Sequence, residues 1–112
     1  MKKIEAIIKP FKINELKEIL QEHGIQGITA YEVRGFGRQK GHSEIYRGSE
    51  YQIDFIAKIK VELVVPAERA DEIVDLIVKA CRTGEIGDGK VFVSDIGRVV
   101  RIRTGEEDLE AI

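Results

Sequence analysis

The sequence predicts an α+β domain: a four-stranded antiparallel sheet with two helices on one face and a long loop after the second strand. Three observations lead there. Two stretches alternate apolar and polar residues, and each ends at a proline, Pro10 or Pro66. Each proline is followed by apolar residues at helical spacing. The same order then recurs, IIKP before INELKEIL and LVVP before ADEIVDLI, offset by one residue relative to the proline. Two βαβ units in tandem give the ferredoxin-like βαββαβ sandwich. A chain of 112 residues and 12.6 kDa is the size of one such domain.

Residues 2–8 alternate Ile4, Ala6 and Ile8 against Lys3, Glu5 and Ile7, and Pro10 ends the strand because it has no N–H for a ladder. Ile13, Leu16, Ile19 and Leu20 then form a helical stripe opposite Glu15, Lys17, Glu18 and Glu22. Asn14 or a residue just before it is the expected cap, and Gly24 the expected left-handed stop. β-type residues return from Ile28 through Val33.

Phe36 to Asp54 breaks both periodicities, with Gly37, Gly41 and Gly48 among polar residues and no stripe to bury. It is longer than the ~12–15 residues beyond which a structureless loop in a compact domain is usually functional or disordered. Phe55 to Val65 is the cleanest strand, with Phe55, Ala57, Ile59, Val61, Leu63 and Val65 on one face and Lys58, Lys60 and Glu62 on the other. Ala70, Ile73, Val74, Ile77 and Cys81 mark a second amphipathic helix. The glycine-rich TGEIGDGK (83–90) leads into strand-like VFV at 91–93, and a last β-type run, VVRIR, spans 99–103 before an acidic tail. The sheet face away from the helices is bare in a single copy, which predicts a homo-oligomer.

Composition narrows the function. Eighteen Lys plus Arg against twenty Asp plus Glu, a net charge of −2, argues against a nucleic-acid arm. No apolar run approaches the ~20 residues of a membrane span. The opening MKKIEAIIKPF is too short and too interrupted for a signal peptide, so a cytoplasmic protein is expected. A single cysteine, Cys81, precludes an internal disulfide or multi-Cys metal site, and its place on the apolar helix face makes it a small core residue. His23, at a helix end, reads as structural.

TGEIGDGK nearly fits a P-loop, but Val91 replaces the required Ser or Thr and a strand follows where a helix belongs. The underlying physics does not need the full motif. Gly84, Gly87 and Gly89 let backbone N–H groups converge on an anion, and Lys90 adds a point charge. Arg101 and Arg103, two apart on a strand, would share a face ~6.5–7 Å apart, with Val100 and Ile102 turned to the core. Paired guanidiniums suit a polyphosphate. Arg34-Gly35-Phe36-Gly37 copies the start of the RNA-recognition octapeptide, but Arg38 and Gln39 replace its stacking positions and it follows the wrong strand. No Ser-His-Asp, Cys-His or paired-carboxylate arrangement stands out. A nucleotide- or polyphosphate-binding protein without catalysis is the reading; the alternative is an ATP-hydrolysing or nucleotide-transferring enzyme on the same site, disfavoured by the lack of a placed general base.

Along its whole length the chain resembles the PII signal-transduction proteins of nitrogen regulation. YRGSEY (46–51) matches that family's modification motif and TGEIGDGKVFV (83–93) its second signature; GFGRQKGH (35–42) and RIRTGEED (101–108) are also similar to family segments. The resemblance implies one domain over 1–112, with an effector loop at about 37–54, a nucleotide loop at about 82–90 and a C-terminal loop at about 102–112. It implies a homotrimer with ATP or ADP in the clefts between subunits. Carried over by position, the nucleotide site takes Gly35, Gly37, Arg38, Gly87, Asp88, Gly89, Lys90, Arg101 and Arg103, with Thr29, Glu62 and Val64 near the adenine or ribose. With MgATP, 2-oxoglutarate is implied: Gln39 matches the Mg²⁺ ligand, Lys58 the partner of the distal carboxylate, and Lys40 and Gly41 hold the rest. An all-oxygen octahedral shell is what Mg²⁺ prefers.

The resemblance further implies a non-enzymatic sensor acting through its long loop. Tyr51 matches the uridylylation site, and Ser49 the position phosphorylated in some relatives. Implied partners are the ammonium transporter, the uridylyltransferase/uridylyl-removing enzyme, a nitrogen-sensing histidine kinase and N-acetylglutamate kinase, with no nucleic acid and contact with a membrane only through the transporter. Tyr31 stands where the family would have a smaller residue beside the cleft, and Ile56 replaces a more usual leucine.

Overall fold

A computed structural model of the chain describes residues 1–37, 44–46, 49–51 and 55–112. Strand β1 (Lys2–Ile8) leads to helix α1 (Ile13–Glu22), β2 (Thr29–Gly35), the short β3 (Glu44–Tyr46) and β4 (Ser49–Tyr51), then β5 (Ile56–Val65), α2 (Ala70–Cys81) and β6 (Lys90–Asp95). Four of these strands form one antiparallel sheet in the order β2-β5-β1-β6, the predicted ferredoxin-like topology. Among the described residues β3 pairs only with β4.

Each helix is entered through a single 3-10 turn at its proline. Pro10 is the first residue of one turn, whereas Pro66 immediately precedes the other (Ala67–Arg69), which is the one-residue offset seen in the repeat. Pro10 pre-sets φ for helix entry and needs no partner for a missing N–H. The expected cap at Asn14 does not form: α1 begins at Ile13 after Lys12, with no side-chain cap bond, because the 3-10 turn already occupies the first amides. The stop does form. Gly24, at φ +82°, donates to Gln21 O and Ile25 donates to Leu20 O, a Schellman closure.

The core lies between the helices and one sheet face: Ile4, Ala6, Ile8, Val61, Leu63 and Val65 from strands, Leu16 and Leu20 from α1, and Ala70, Ile73, Ile77, Ala80 and Cys81 from α2. The stripe predicted on β5 holds from Ile59 onward but not at its start. Phe55 and Ala57 are exposed, because β1 stops at Ile8, opposite Ile59.

Among the described residues the other sheet face is uncovered, as expected, but it is charge-rich and not simply apolar. Glu5 sits 2.9 Å from Lys60 and 3.2 Å from Lys3, and Lys3 is 3.6 Å from Glu62. Tyr31 donates to Glu62 over 2.9 Å. These residues alternate with the core set along β1 and β5, so the same period that builds the core builds this lattice.

The predicted strand at 99–103 is absent. Val100 makes one isolated bridge to Glu107, and the chain turns back at once: Gly105 N–H donates to Arg101 O and Arg101 N–H to Glu106 O. Gly105, at φ +73°, permits that reversal. Val100 is half exposed and Ile102 fully so, not core-facing. The β-type composition is real, but no sheet edge lies alongside to pair it.

Candidate functional site

Antiparallel pairing gathers four chain ends at one edge of the sheet. β1 ends there at Ile8 and β2 at Gly35, while β5 begins there at Ile56 and β6 at Lys90. The glycine-rich turn 83–89 enters β6 at this edge, and Lys58 lies two rungs in from Gly35, opposite Val33. Gly35, Lys58 and the Gly87–Lys90 run, distant in sequence, are thus brought together.

The turn is held from within. Asp88 accepts the N–H groups of Thr83 and Gly84, both at 2.9 Å through Oδ2, and the Thr83 hydroxyl through Oδ1. Lys9, just beyond β1, reaches across with Nζ 3.1 Å from Thr83 Oγ1 and 3.4 Å from Asp88 Oδ1. The Thr83 hydroxyl bond, chiefly, holds the Asp88 carboxyl well below the usual carboxylate range. A carboxylate so engaged is a poor proton acceptor, which agrees with a site that binds and does no acid–base chemistry.

Gly84, Gly87 and Gly89 have φ of +87°, +100° and +93°, values that only glycine adopts without strain. At Gly89 a side chain is excluded outright, since a Cβ would fall 1.7 Å from Ile7 O. The turn thus packs backbone to backbone on β1 at Gly89.

Lys58 is 8% exposed, and its ammonium donates to Gly87 O. Burial, then the like charge of Lys9, lowers its pKa, with Asp88 acting the other way. The sequence placed Lys58 on the strand's polar face; the structure buries it there, beneath the turn. A buried ammonium bonded to a carbonyl is a ready partner for an anion.

Thr29 and Glu62 are directly paired across β2 and β5, and Val64 lies two rungs on at the same face. They lie towards the opposite end of the sheet from the glycine turn, Thr29 being the first residue of β2 and Val64 the last but one of β5. Arg101 and Arg103 are elsewhere: the chain leaves the sheet at Ile96, whose N–H donates to Met1 O, at the opposite end of β1 from Ile7. Arg101 pairs with Glu106 at 3.1 Å, and the shared-strand geometry expected for the two arginines does not exist. Arg38, Gln39, Lys40 and Gly41 lie outside the described residues; Gly37 directly precedes them. Ser49 and Tyr51 lie on β4, paired with Tyr46 and Glu44.

Sequence reasoning missed two features. Lys9 and Thr83 complete the turn's network, and only the Thr83-to-Asp88 spacing hinted at it, since Lys9 is 74 residues from Thr83. Phe36 and Phe55 stack edge-to-face at 5.5 Å just past the last rung of β2 and β5, flanking the long segment between them. Cys81 is buried as expected, its thiol pushed up to about 11 by burial, which makes it unreactive. Among the described residues no group of His, Cys, Asp or Glu could hold a metal, and no helix is long and apolar enough to cross a membrane.

Comparison with known proteins bears on all of this. Residues 1–106 match the family model described as nitrogen regulatory protein P-II. The chain is 61% identical to nitrogen regulatory protein P-II 1 of Escherichia coli K12, over the full length of both. It is 62% identical to nitrogen regulatory protein P-II of Rhizobium meliloti and 60% to that of Klebsiella oxytoca, again over all of each chain.

Proposed function

The chain belongs to the nitrogen regulatory protein P-II family, a family of non-enzymatic signalling proteins, and from that premise we propose that it senses adenine nucleotide and 2-oxoglutarate together. ATP or ADP binds with its phosphates at the glycine turn, on Gly87, Asp88, Gly89 and Lys90 with Gly35, Gly37 and Arg38. Thr29, Glu62 and Val64 lie along the base and sugar. With MgATP bound, 2-oxoglutarate joins at Lys58 and the Gln39–Gly41 segment. Gln39 supplies the side-chain oxygen for Mg²⁺; no described carboxylate cluster competes for that ion.

The observation that carries this reading is the buried Lys58 ammonium beneath a turn with three positive-φ glycines, opening at the sheet edge beside Lys90. It is a cationic cradle at a glycine turn, the kind of backbone that binds anions. Arg101 and Arg103, at the other end of β1, are supplied to each site by a neighbouring copy. A trimer with nucleotide between subunits therefore fits the separation within one chain.

The output runs through the segment at 37–54. Its base meets the ligands at Gly37–Gly41 and Lys58, so nucleotide and 2-oxoglutarate bias its conformers. Reciprocity follows: a target that prefers the ADP-bound form weakens 2-oxoglutarate binding. Uridylylation of Tyr51 would block insertion of that segment by bulk and charge; Ser49 offers a second hydroxyl. Targets of the kind the family resemblance implies are the ammonium transporter, the uridylyltransferase/uridylyl-removing enzyme, a nitrogen-sensing histidine kinase and N-acetylglutamate kinase, reached from the cytoplasm.

Isothermal titration of 2-oxoglutarate into the pure protein with MgATP, with MgADP and without nucleotide tests the reading. Binding with MgATP alone is expected. ATP binding without any 2-oxoglutarate binding would reduce the protein to an adenylate sensor and remove the roles of Gln39 and Lys58.

A further inference from the structure

Phosphate-binding turns rich in glycine carry a cost, because each glycine surrenders more backbone freedom on ordering than any other residue. The turn 83–89 has three glycines, all at positive φ. Left to itself, such a turn would sample many shapes, and a nucleotide would have to order it on binding.

Here that ordering is already in place. The Asp88 carboxylate accepts three hydrogen bonds, from two backbone N–H groups and the Thr83 hydroxyl, and pairs with the Lys9 ammonium at 3.4 Å. With about four lone-pair sites on a carboxylate, its side chain is largely committed to the turn. Thr83 is the hinge of the arrangement. Its hydroxyl bonds Asp88, accepts from Lys9 at 3.1 Å and accepts the Glu85 N–H at 3.2 Å. Lys9 fastens the whole turn to the end of β1, where Gly89 packs against Ile7 O.

We propose that Lys9, Thr83 and Asp88 form a latch that holds the glycine turn in its phosphate-receiving shape, with Thr83 a positioning residue that touches no ligand. This rests on the nucleotide reading above. The latch acts on the turn alone, so it governs the phosphates and not the base. It also shares its anchor with Lys58: the Asp88 charge offsets both lysines, and Lys58 in turn holds Gly87 O. Loosening Thr83 therefore frees the two glycines that flank Asp88.

The test uses the full-length protein and two ligands, ATP and adenosine, each measured by displacement of a fluorescent ATP analogue. Thr83→Ala is expected to weaken ATP binding by about tenfold while leaving adenosine binding and the thermal midpoint within error. Thr83→Ser, which keeps the hydroxyl, is expected to restore ATP affinity. Should Thr83→Ala fold poorly, Lys9→Met reads the same latch from β1 and is expected to show the same split between ATP and adenosine. Equal losses for ATP and adenosine, or a full ATP affinity in both variants, overturns the latch. If the unaltered protein binds no ATP, it is the nucleotide reading that fails, before any variant is compared.

Discussion

Lys58 is the one charged residue that is buried among the described residues. Its ammonium is buried beside a second lysine, and its pKa is lowered from 10.5 by desolvation first and by Lys9 second. A base whose folded pKa lies below its unfolded value binds fewer protons folded than unfolded between the two. Stability therefore rises with pH through that window, up to 10.5, and the cost of the buried charge is fully present below the folded value. Lys58→Met is accordingly expected to leave stability at pH 7 equal to or above that of the parent, by urea unfolding, with the difference vanishing towards pH 10.5. The same variant should weaken 2-oxoglutarate binding by at least about tenfold, the loss of one charge-assisted hydrogen bond. A variant that is plainly less stable at pH 7 would mean the Gly87 carbonyl bond outweighs the desolvation. A residue retained at a cost to stability is what a ligand site requires.

At the scale of elements, the repeat of strand, proline and helix governs the architecture. Both helices begin through a 3-10 turn, and neither has a side-chain cap bond, so the prolines set where they start. Their ends differ: α1 closes on Gly24, whereas α2 runs out at Arg82 in extended geometry and delivers the chain to the glycine turn. Gly24→Ala is expected to cost about 1 kcal/mol of unfolding free energy, the strain of a left-handed alanine. Nothing but the tip of Arg69, at 3.9 Å, lies near the added methyl. The variant should bind ATP like the parent, since Gly24 is far along the chain from the glycine edge; a loss above about 2 kcal/mol would point to a packing role instead.

At the scale of the molecule, the proposed nucleotide site is incomplete within one chain. The glycine turn and the two tail arginines leave β1 from opposite ends. The charged open face, with Glu5 drawn below its usual 4.5 chiefly by Lys60, has no cover among the described residues. Light scattering of the pure protein is expected to give about three times the 12.6 kDa of the chain. Arg101→Ala is then expected to weaken ATP binding without changing that mass. A monomer in solution would leave Arg101 and Arg103 without a route to the phosphates of the turn, and their place in the site would have to be given up.

Period and punctuation were enough to read the four main strands, the two helices, the Gly24 stop and the glycine turn, because those features depend on residues close in sequence. Family motifs carried Lys58 and Gly35 to one site without saying how they meet. Other readings needed contacts that local pattern does not contain. VVRIR has strand composition, yet no neighbouring strand accepts it, so it folds back on Glu106 and Glu107. Asp88 reads as one more residue of a phosphate loop, yet Lys9, nearly eighty positions earlier, and Thr83 turn its carboxylate inward. Lys58 reads as a solvated lysine on a polar face, yet the turn laid over it buries it. Local pattern determines which backbone each segment prefers; which polar groups are desolvated, and by what, is decided only when distant segments meet at one edge of the sheet.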